Sequence, residues 1–143
     1  MQFGIKDEEF IRGKVPMTKA EIRAMVMVKA AIQPGDIVAD IGAGTGSLSI
    51  EAALCCPEGA VYSIERNPEG IELIRKNAEK FGCRNIHTIA GTAPEAMEGL
   101  PKMDVIIIGG SSGNMHEILD RCEALLAPGG RIILTAVTVE TTG

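Results

Sequence analysis

The 143 residues predict an α/β fold with a doubly wound parallel sheet, and three observations carry that expectation. Apolar runs that read as buried on both faces alternate five times with segments of helical periodicity, and turn residues punctuate the changes. The run through Val38, Ala39, Asp40 and Ile41 passes directly into three glycines at alternate positions, Gly42, Gly44 and Gly46. Connections of about 10 to 20 residues between the apolar runs suit right-handed βαβ crossovers rather than hairpins. In an open sheet of this kind a ligand lies beyond the carboxyl ends of the strands, where strand order reverses, and the glycines fall at such an end.

The elements follow in order. Residues 1 to 17 form an N-terminal arm that mixes charge with Phe3, Ile5, Phe10 and Ile11 and is broken by Pro16. Thr18-Lys19-Ala20-Glu21 matches a capping box, so a helix is expected from about residue 18 to 32, closed by Pro34-Gly35. Asp36 to Ile41 is the first strand, continuous enough in apolar residues to be central and covered on both sides. The pattern of Leu48, Ile50, Ala52, Ala53 and Leu54 makes a helix from Gly46 or Ser47 to about Cys56. Pro57-Glu58-Gly59 turns into a second strand, Ala60 to Ile64. Asn67 then caps a helix with Pro68 at its first position and Gly82 beyond its end. Ile86 to Ala90 is the third strand, Glu95 to Met97 a short helix, and Asp104 to Ile108 the fourth strand. A helix over about 114 to 127 is ended by Pro128-Gly129-Gly130, and Arg131 to Val139 supplies the fifth strand.

Composition narrows the function. A chain of this length is one domain, able to bury roughly two-thirds of its unfolded surface. No apolar leader and no apolar stretch near ~18 residues stands in it, so a cytoplasmic protein without a membrane partner is expected. Cys55, Cys56, Cys83 and Cys122 form no Cys-x-x-Cys pair and His87 and His116 are the only histidines, so no metal site is expected and the thiols read as small buried hydrophobes. The net charge of −5, with three Phe, one Tyr and no Trp, argues against a nucleic-acid partner. Against that acidic background Arg12, Lys14, Lys19, Arg23 and Lys29 stand between residues 12 and 29 with one acid, Glu21, which suits a small polyanionic substrate.

The glycine loop discriminates between ligands. A dinucleotide fingerprint needs G-x-G-x-x-G, yet the third glycine arrives one residue early and Ser47 stands at the expected place. Asp40-x-Gly42-x-Gly44-x-Gly46 instead resembles class I S-adenosylmethionine-dependent methyltransferases, whose cofactor has no pyrophosphate to cradle. Glu65, at the end of the second strand, stands where a carboxylate accepts two ribose hydroxyls in charge-assisted bonds. Gly91-Thr92-Ala93 resembles the segment beside the adenine, with Thr92 and the Ala93 backbone next to the ring, although many members carry an acid there. The resemblance implies strand order 3-2-1-4-5 in a Rossmann-like sheet, and S-adenosylmethionine on Asp40, Gly42, Ala43, Gly44, Thr45, Gly46, Ser47, Glu65, Thr92 and Ala93. Such enzymes continue into a C-terminal hairpin that is missing after strand five. The chain is therefore expected to be C-terminally incomplete, or to have its apolar edge strand covered by a partner subunit.

The arm is more specific than the loop. Gly4-Ile5-Lys6-Asp7, Phe10-Ile11-Arg12 and Pro16-Met17-Thr18-Lys19, followed by Glu21-Ile22-Arg23-Ala24, stand with Ile64-Glu65-Arg66-Asn67 and Ile108-Gly109-Gly110-Ser111. Together these resemble the decarboxylating cobalt-precorrin methyltransferases of cobalamin biosynthesis over essentially the whole chain. The resemblance implies methylation at carbon 15 of a cobalt-precorrin, loss of carbon dioxide from the carbon 12 acetate, and a homo-oligomer such as a tetramer. It also places Thr18 and Arg66 beside the cofactor. Arg12, Lys14, Lys19, Arg23, Gly110 and Ser111 fall to the substrate. Ser111, Ser112, Asn114 and His116 are the candidates for catalysis, and His116 is the one able to titrate near neutral pH. Alternatives are another class I methyltransferase, acting on RNA or protein carboxylates, and a domain that binds the cofactor without turnover.

Overall fold

The computed structural model describes residues 4–109 and 114–135. Five parallel strands form one sheet in the order β3-β2-β1-β4-β5: β1 (Ile37–Ile41), β2 (Ala60–Glu65), β3 (Ile86–Ala90), β4 (Met103–Ile108) and β5 (Leu126–Leu134). Helices α1 (Ala20–Ala30), α2 (Ser47–Cys55), α3 (Pro68–Lys80) and α4 (Met115–Leu125) connect or flank them. Among the described residues no helix is long and apolar enough to cross a membrane.

Alternation along the central strands builds two cores. Val38, Val61, Val105 and Ile107 point to the side covered by Val26, Met27 and Ala30 of α1 and by Leu48, Ala52 and Ala53 of α2. Their neighbours Ala39, Ile41, Ile64, Ile106 and Ile108 point to the other side, against Met97 and against Ile118 and Cys122 of α4. Each buried isoleucine contributes about 1.5–3 kcal/mol of transfer free energy, so a strand buried on both faces sets its own place at the centre. Cys55, Cys56 and Cys122 are buried and Cys83 half-buried, all as free thiols, and burial raises the pKa of each.

Helix ends depart from the expectations at α1. Its N-cap is Lys19, without a side-chain hydrogen bond, so Glu21 falls one position short of a capping box. The Thr18 carbonyl is instead taken by the Arg23 guanidinium. At the other end Ala31 turns left-handed (φ 48°), short of residue 32, and Arg131 of β5 donates from Nε to the Ala30 carbonyl at 2.8 Å. A distant side chain thus satisfies a helix end that local sequence leaves open. The other capping expectation holds: the Asn67 side chain accepts from the Glu69 N–H at 2.9 Å, Pro68 is the first residue of α3 and Gly82 lies past its end with φ +71°.

The fifth strand also differs. It starts at Leu126, directly after α4, and pairs Met103 with Leu126 but Val105 with Arg131. The Ala127-Pro128-Gly129-Gly130 turn is therefore an excursion within β5 rather than a boundary before it. A Cβ on Gly130 would lie 2.8 Å from Leu126 Cγ and 3.1 Å from the Asp104 carbonyl, so the excursion folds tightly against both strands. The part of the expected strand beyond residue 135, with Thr138, lies outside the described residues. Among the described residues β5 is an edge of the sheet, and Leu134 is 50% exposed on it.

Candidate active site

The carboxyl ends of β1, β2 and β3 open onto a cleft of about 430 Å³, its solvent mouth included, lined by Ile41, Gly42, Ile64, Glu65, Arg66, Gly91, Thr92, Ala93, Asn114 and Ile118. β1 and β4 pair side by side while their crossovers leave in opposite directions along the sheet, so this is the switch point of the strand order. Of the residues expected at the cofactor, the cleft unites Gly42, Glu65, Arg66, Thr92 and Ala93, and it adds Asn114.

The glycine spacing is a backbone requirement. Gly42, Gly44 and Gly46 have φ of 77°, 61° and 87°, a region that costs a residue with a Cβ roughly 1–2 kcal/mol. The N–H groups of Gly42 and Ala43 both donate to the Ile64 carbonyl, at 2.9 and 3.0 Å, which joins the start of the loop to the end of β2. Space is short as well: a Cβ on Gly46 would come within 2.9 Å of Ile74 on α3.

Glu65 has two tasks. Its carboxylate accepts from the Gly44 N–H at 2.7 Å and from the Asn67 N–H at 3.0 Å while still lining the cleft. A carboxylate has about four acceptor positions, so lone pairs remain for hydroxyl donors of a ligand. Gly70, which sequence reasoning missed, makes this possible: a Cβ there would stand 2.9 Å from both Glu65 Cγ and the Gly44 carbonyl. A glycine in the first turn of an otherwise well-formed helix was the signal for it.

Asp40 lies behind the loop rather than in the cleft. It is 1% exposed and accepts from Ser49 Oγ at 2.6 Å, and Ser49 Oγ in turn lies 2.6 Å from Ser63 Oγ. Burial pushes its carboxyl up to about 6; the bond from Ser49 opposes that rise and the charge of Glu65 adds to it. The group fixes α2 to β1 and β2 beneath the loop. Thr45 and Ser47 are likewise buried, and the Thr45 hydroxyl has no hydrogen-bond partner among the described residues.

The arm runs over this loop. A Cβ on Gly44 would meet the Pro16 carbonyl at 3.2 Å and Val15 at 3.7 Å, which brings the segment before Thr18 onto the loop's outer side. Arg12, Lys14 and Lys19 are exposed, as a polyanion would need. Arg23 corrects the expectation of a substrate contact. It is fully buried, and its guanidinium is consumed by Glu51 (3.1 Å), Asp7 (2.8 Å) and the carbonyls of Thr18 and Ile5, with Phe10 stacked 4.7 Å from its centre. Among the catalytic candidates, Asn114 reaches the cleft and donates from Nδ2 to the Ala93 carbonyl at 3.2 Å. His116 is exposed on α4 and does not line the cleft. Gly110, Ser111 and Ser112 lie outside the described residues.

The residues present fit a nucleoside-bearing methyl donor. Ile41, Ile64, Ala93 and Ile118 supply apolar surface for a flat ring, the glycines allow backbone approach, and the Glu65 carboxylate stands at the end of β2.

Comparison with known proteins agrees with this geometry. Residues 9–143 match the model of a family described as the precorrin methyltransferase domain. A protein of Sulfolobus acidocaldarius named probable cobalt-precorrin-6B C(15)-methyltransferase (decarboxylating) is 45% identical over 141 residues, covering 96% of this chain and 73% of that protein. The crystal structure of precorrin-6y C5,15-methyltransferase from Geobacter metallireducens superposes with a TM-score of 0.90 at 42% identity, covering 96% of this chain and 73% of that one. A precorrin 8W decarboxylase from Methanobacterium thermoautotrophicum superposes at 0.89 with 39% identity, covering 94% and 73%.

Proposed function

The chain belongs to the precorrin methyltransferase domain family, and from that premise we propose that it methylates carbon 15 of a cobalt-precorrin and removes carbon dioxide from the acetate at ring carbon 12. The methyl donor in this reading is S-adenosylmethionine, which supplies an activated sulfonium methyl group. One observation carries the proposal: the donor loop and the basic arm are in contact, with the Pro16 carbonyl against Gly44. A site that must hold an uncharged nucleoside end and a carboxylate-rich ring side by side needs those two surfaces to adjoin.

The chain's own residues have binding and positioning tasks. Glu65 accepts the ribose hydroxyls, Arg66, Thr92 and Ala93 flank the nucleoside, and Gly42 to Ser47, with Thr18 above, form the backbone cradle. Asp40 supports that cradle from beneath through Ser49. Arg12, Lys14 and Lys19 meet substrate carboxylates, where an arginine binds in two-pronged fashion and a lysine as a point charge. Holding an electron-rich ring carbon in line with the methyl group and excluding water is the main contribution asked of the protein. The conjugated macrocycle receives the electron pair left when carbon dioxide departs. The reading includes a cytoplasmic homo-oligomer, a tetramer in its specific form. The oligomer is supported by exposed Ile22, Met25 and Val28 along α1.

Mass spectrometry of a cobalt-precorrin incubated with the protein and S-adenosylmethionine tests the reaction. Gain of one methyl with loss of one carbon dioxide is expected. An unchanged tetrapyrrole, with methyl transfer to RNA or protein instead, would end this reading.

A further inference from the structure

The loop that cradles the donor rests on one face of α3. Gly70, Ile74 and Asn77 succeed each other about a turn apart and meet the Gly44 carbonyl, Gly46 and the Thr45 carbonyl in that order. Two of these contacts are steric, and the third is polar. Asn77 is fully buried, and its Nδ2 donates both to Thr45 O at 3.1 Å and to Ile11 O at 3.0 Å, while its Oδ1 accepts from the Ile11 N–H at 2.7 Å. A single amide therefore saturates both backbone groups of an arm residue and reaches the loop as well. Thr45 has no alternative anchor through its side chain, because its buried hydroxyl lacks a partner among the described residues. Ile11 sits next to Arg12, so the same amide sets the place of the first of the arm's substrate-facing cations.

We propose that Asn77 is a positioning residue for the methyl transfer, holding the donor loop and the substrate-facing arm in one register through the Thr45 carbonyl and the Ile11 backbone. This rests on the donor reading of the cleft given above. Asn77 touches no reactant in this role; it acts through Thr45 and Ile11. A purely structural asparagine would affect folding alone, whereas this one sets donor affinity.

Asn77→Asp isolates the donated bonds. It retains the acceptor for the Ile11 N–H and turns a second oxygen toward two carbonyls. Asn85→Asp is the control, because Asn85 Nδ2 also donates to two carbonyls, Ala53 O at 3.3 Å and Cys56 O at 2.9 Å, away from the cleft lining. Calorimetric titration of each full chain with S-adenosylhomocysteine is paired with thermal midpoints. Asn77→Asp is expected to weaken binding by about tenfold or more, and Asn85→Asp to lower the midpoint with affinity unchanged. Where Asn77→Asp fails to fold, Asn77→Ala removes the amide without adding charge and is expected to show the same loss. Wild-type affinity in a folded Asn77 variant, or an equal loss in Asn85→Asp, overturns the positioning role alone. No binding by the unaltered chain overturns the donor reading and this inference with it.

Discussion

The glycine loop and the arm touch at Gly44, yet they reach their conformations by opposite routes. The loop is fixed locally, by three left-handed glycines and by bonds from Gly42 and Ala43 to the adjoining strand. Over its described residues, 4 to 17, the arm contains one short 3-10 turn, Asp7–Glu9, and is otherwise irregular. What holds it are polar side chains sent from three helices: Arg23 of α1 to Ile5 and Asp7, Glu51 of α2 to the N–H groups of Gly4 and Ile5, and Asn77 of α3 to Ile11. A segment with no ladder of its own must find every hydrogen-bond partner elsewhere, and buried charges become tolerable because those partners are supplied. The difference means that the arm fails as a unit when one fastening is lost, whereas the loop fails residue by residue.

The largest expected effect tests that cooperative failure. Glu51→Ala leaves Arg23 buried without its fully buried partner and frees two arm N–H groups, a change worth about 3–5 kcal/mol. Denaturant unfolding should show a loss of that size, with protease cleavage appearing between residues 4 and 19. Wild-type stability with an uncleaved arm would show that the arm is held by something other than this network.

Next comes the support beneath the loop. The Asp40 carboxyl is raised from 3.8 to about 6, so its contribution to stability is full below about 3.8 and is lost as pH rises through 6. Asp40→Asn removes that dependence and should stabilise the folded state at pH 7 by up to about 3 kcal/mol, while the two proteins converge toward pH 4. Parallel stability profiles across that range would remove Asp40's burial as a cost.

Glu65→Ala should cost less in stability than in affinity. It releases the Gly44 and Asn67 N–H groups and withdraws the cleft's carboxylate, so S-adenosylhomocysteine binding should weaken by about 1–3 kcal/mol. Unchanged affinity would restrict Glu65 to holding the loop. The smallest change is Lys14→Ala, an exposed cation whose loss should raise the tetrapyrrole KM by a factor corresponding to about 1 kcal/mol or less, and less still at high salt. An effect on donor KM instead would place the lysine at the loop.

Legibility follows the same division. Glycine spacing, the Asn67-Pro68 start of α3 and the doubly apolar strands are short-range requirements, and each is found where residue types alone put it. The Thr18 capping box failed because Arg23 competes for the Thr18 carbonyl, and β5 began early because its glycine turn folds inside the strand pairing. Arg23, Glu51 and Asn77 each left a trace, a polar residue on a helix face otherwise buried, but nothing in the pattern said which backbone it would serve.

The sequence by itself determined where the central strands, the start of α3 and the left-handed glycine loop fall, because periodicity, caps and left-handed glycines act within a few residues, while the strand order followed from the family resemblance. Only the tertiary structure decided that Arg23 is a fastening rather than a substrate contact, that Asp40 supports the loop from behind, and that Asn77 ties arm to loop. Those roles depend on partners 5 to 66 residues away in the chain, and burial decides whether a charge faces a ligand or a backbone.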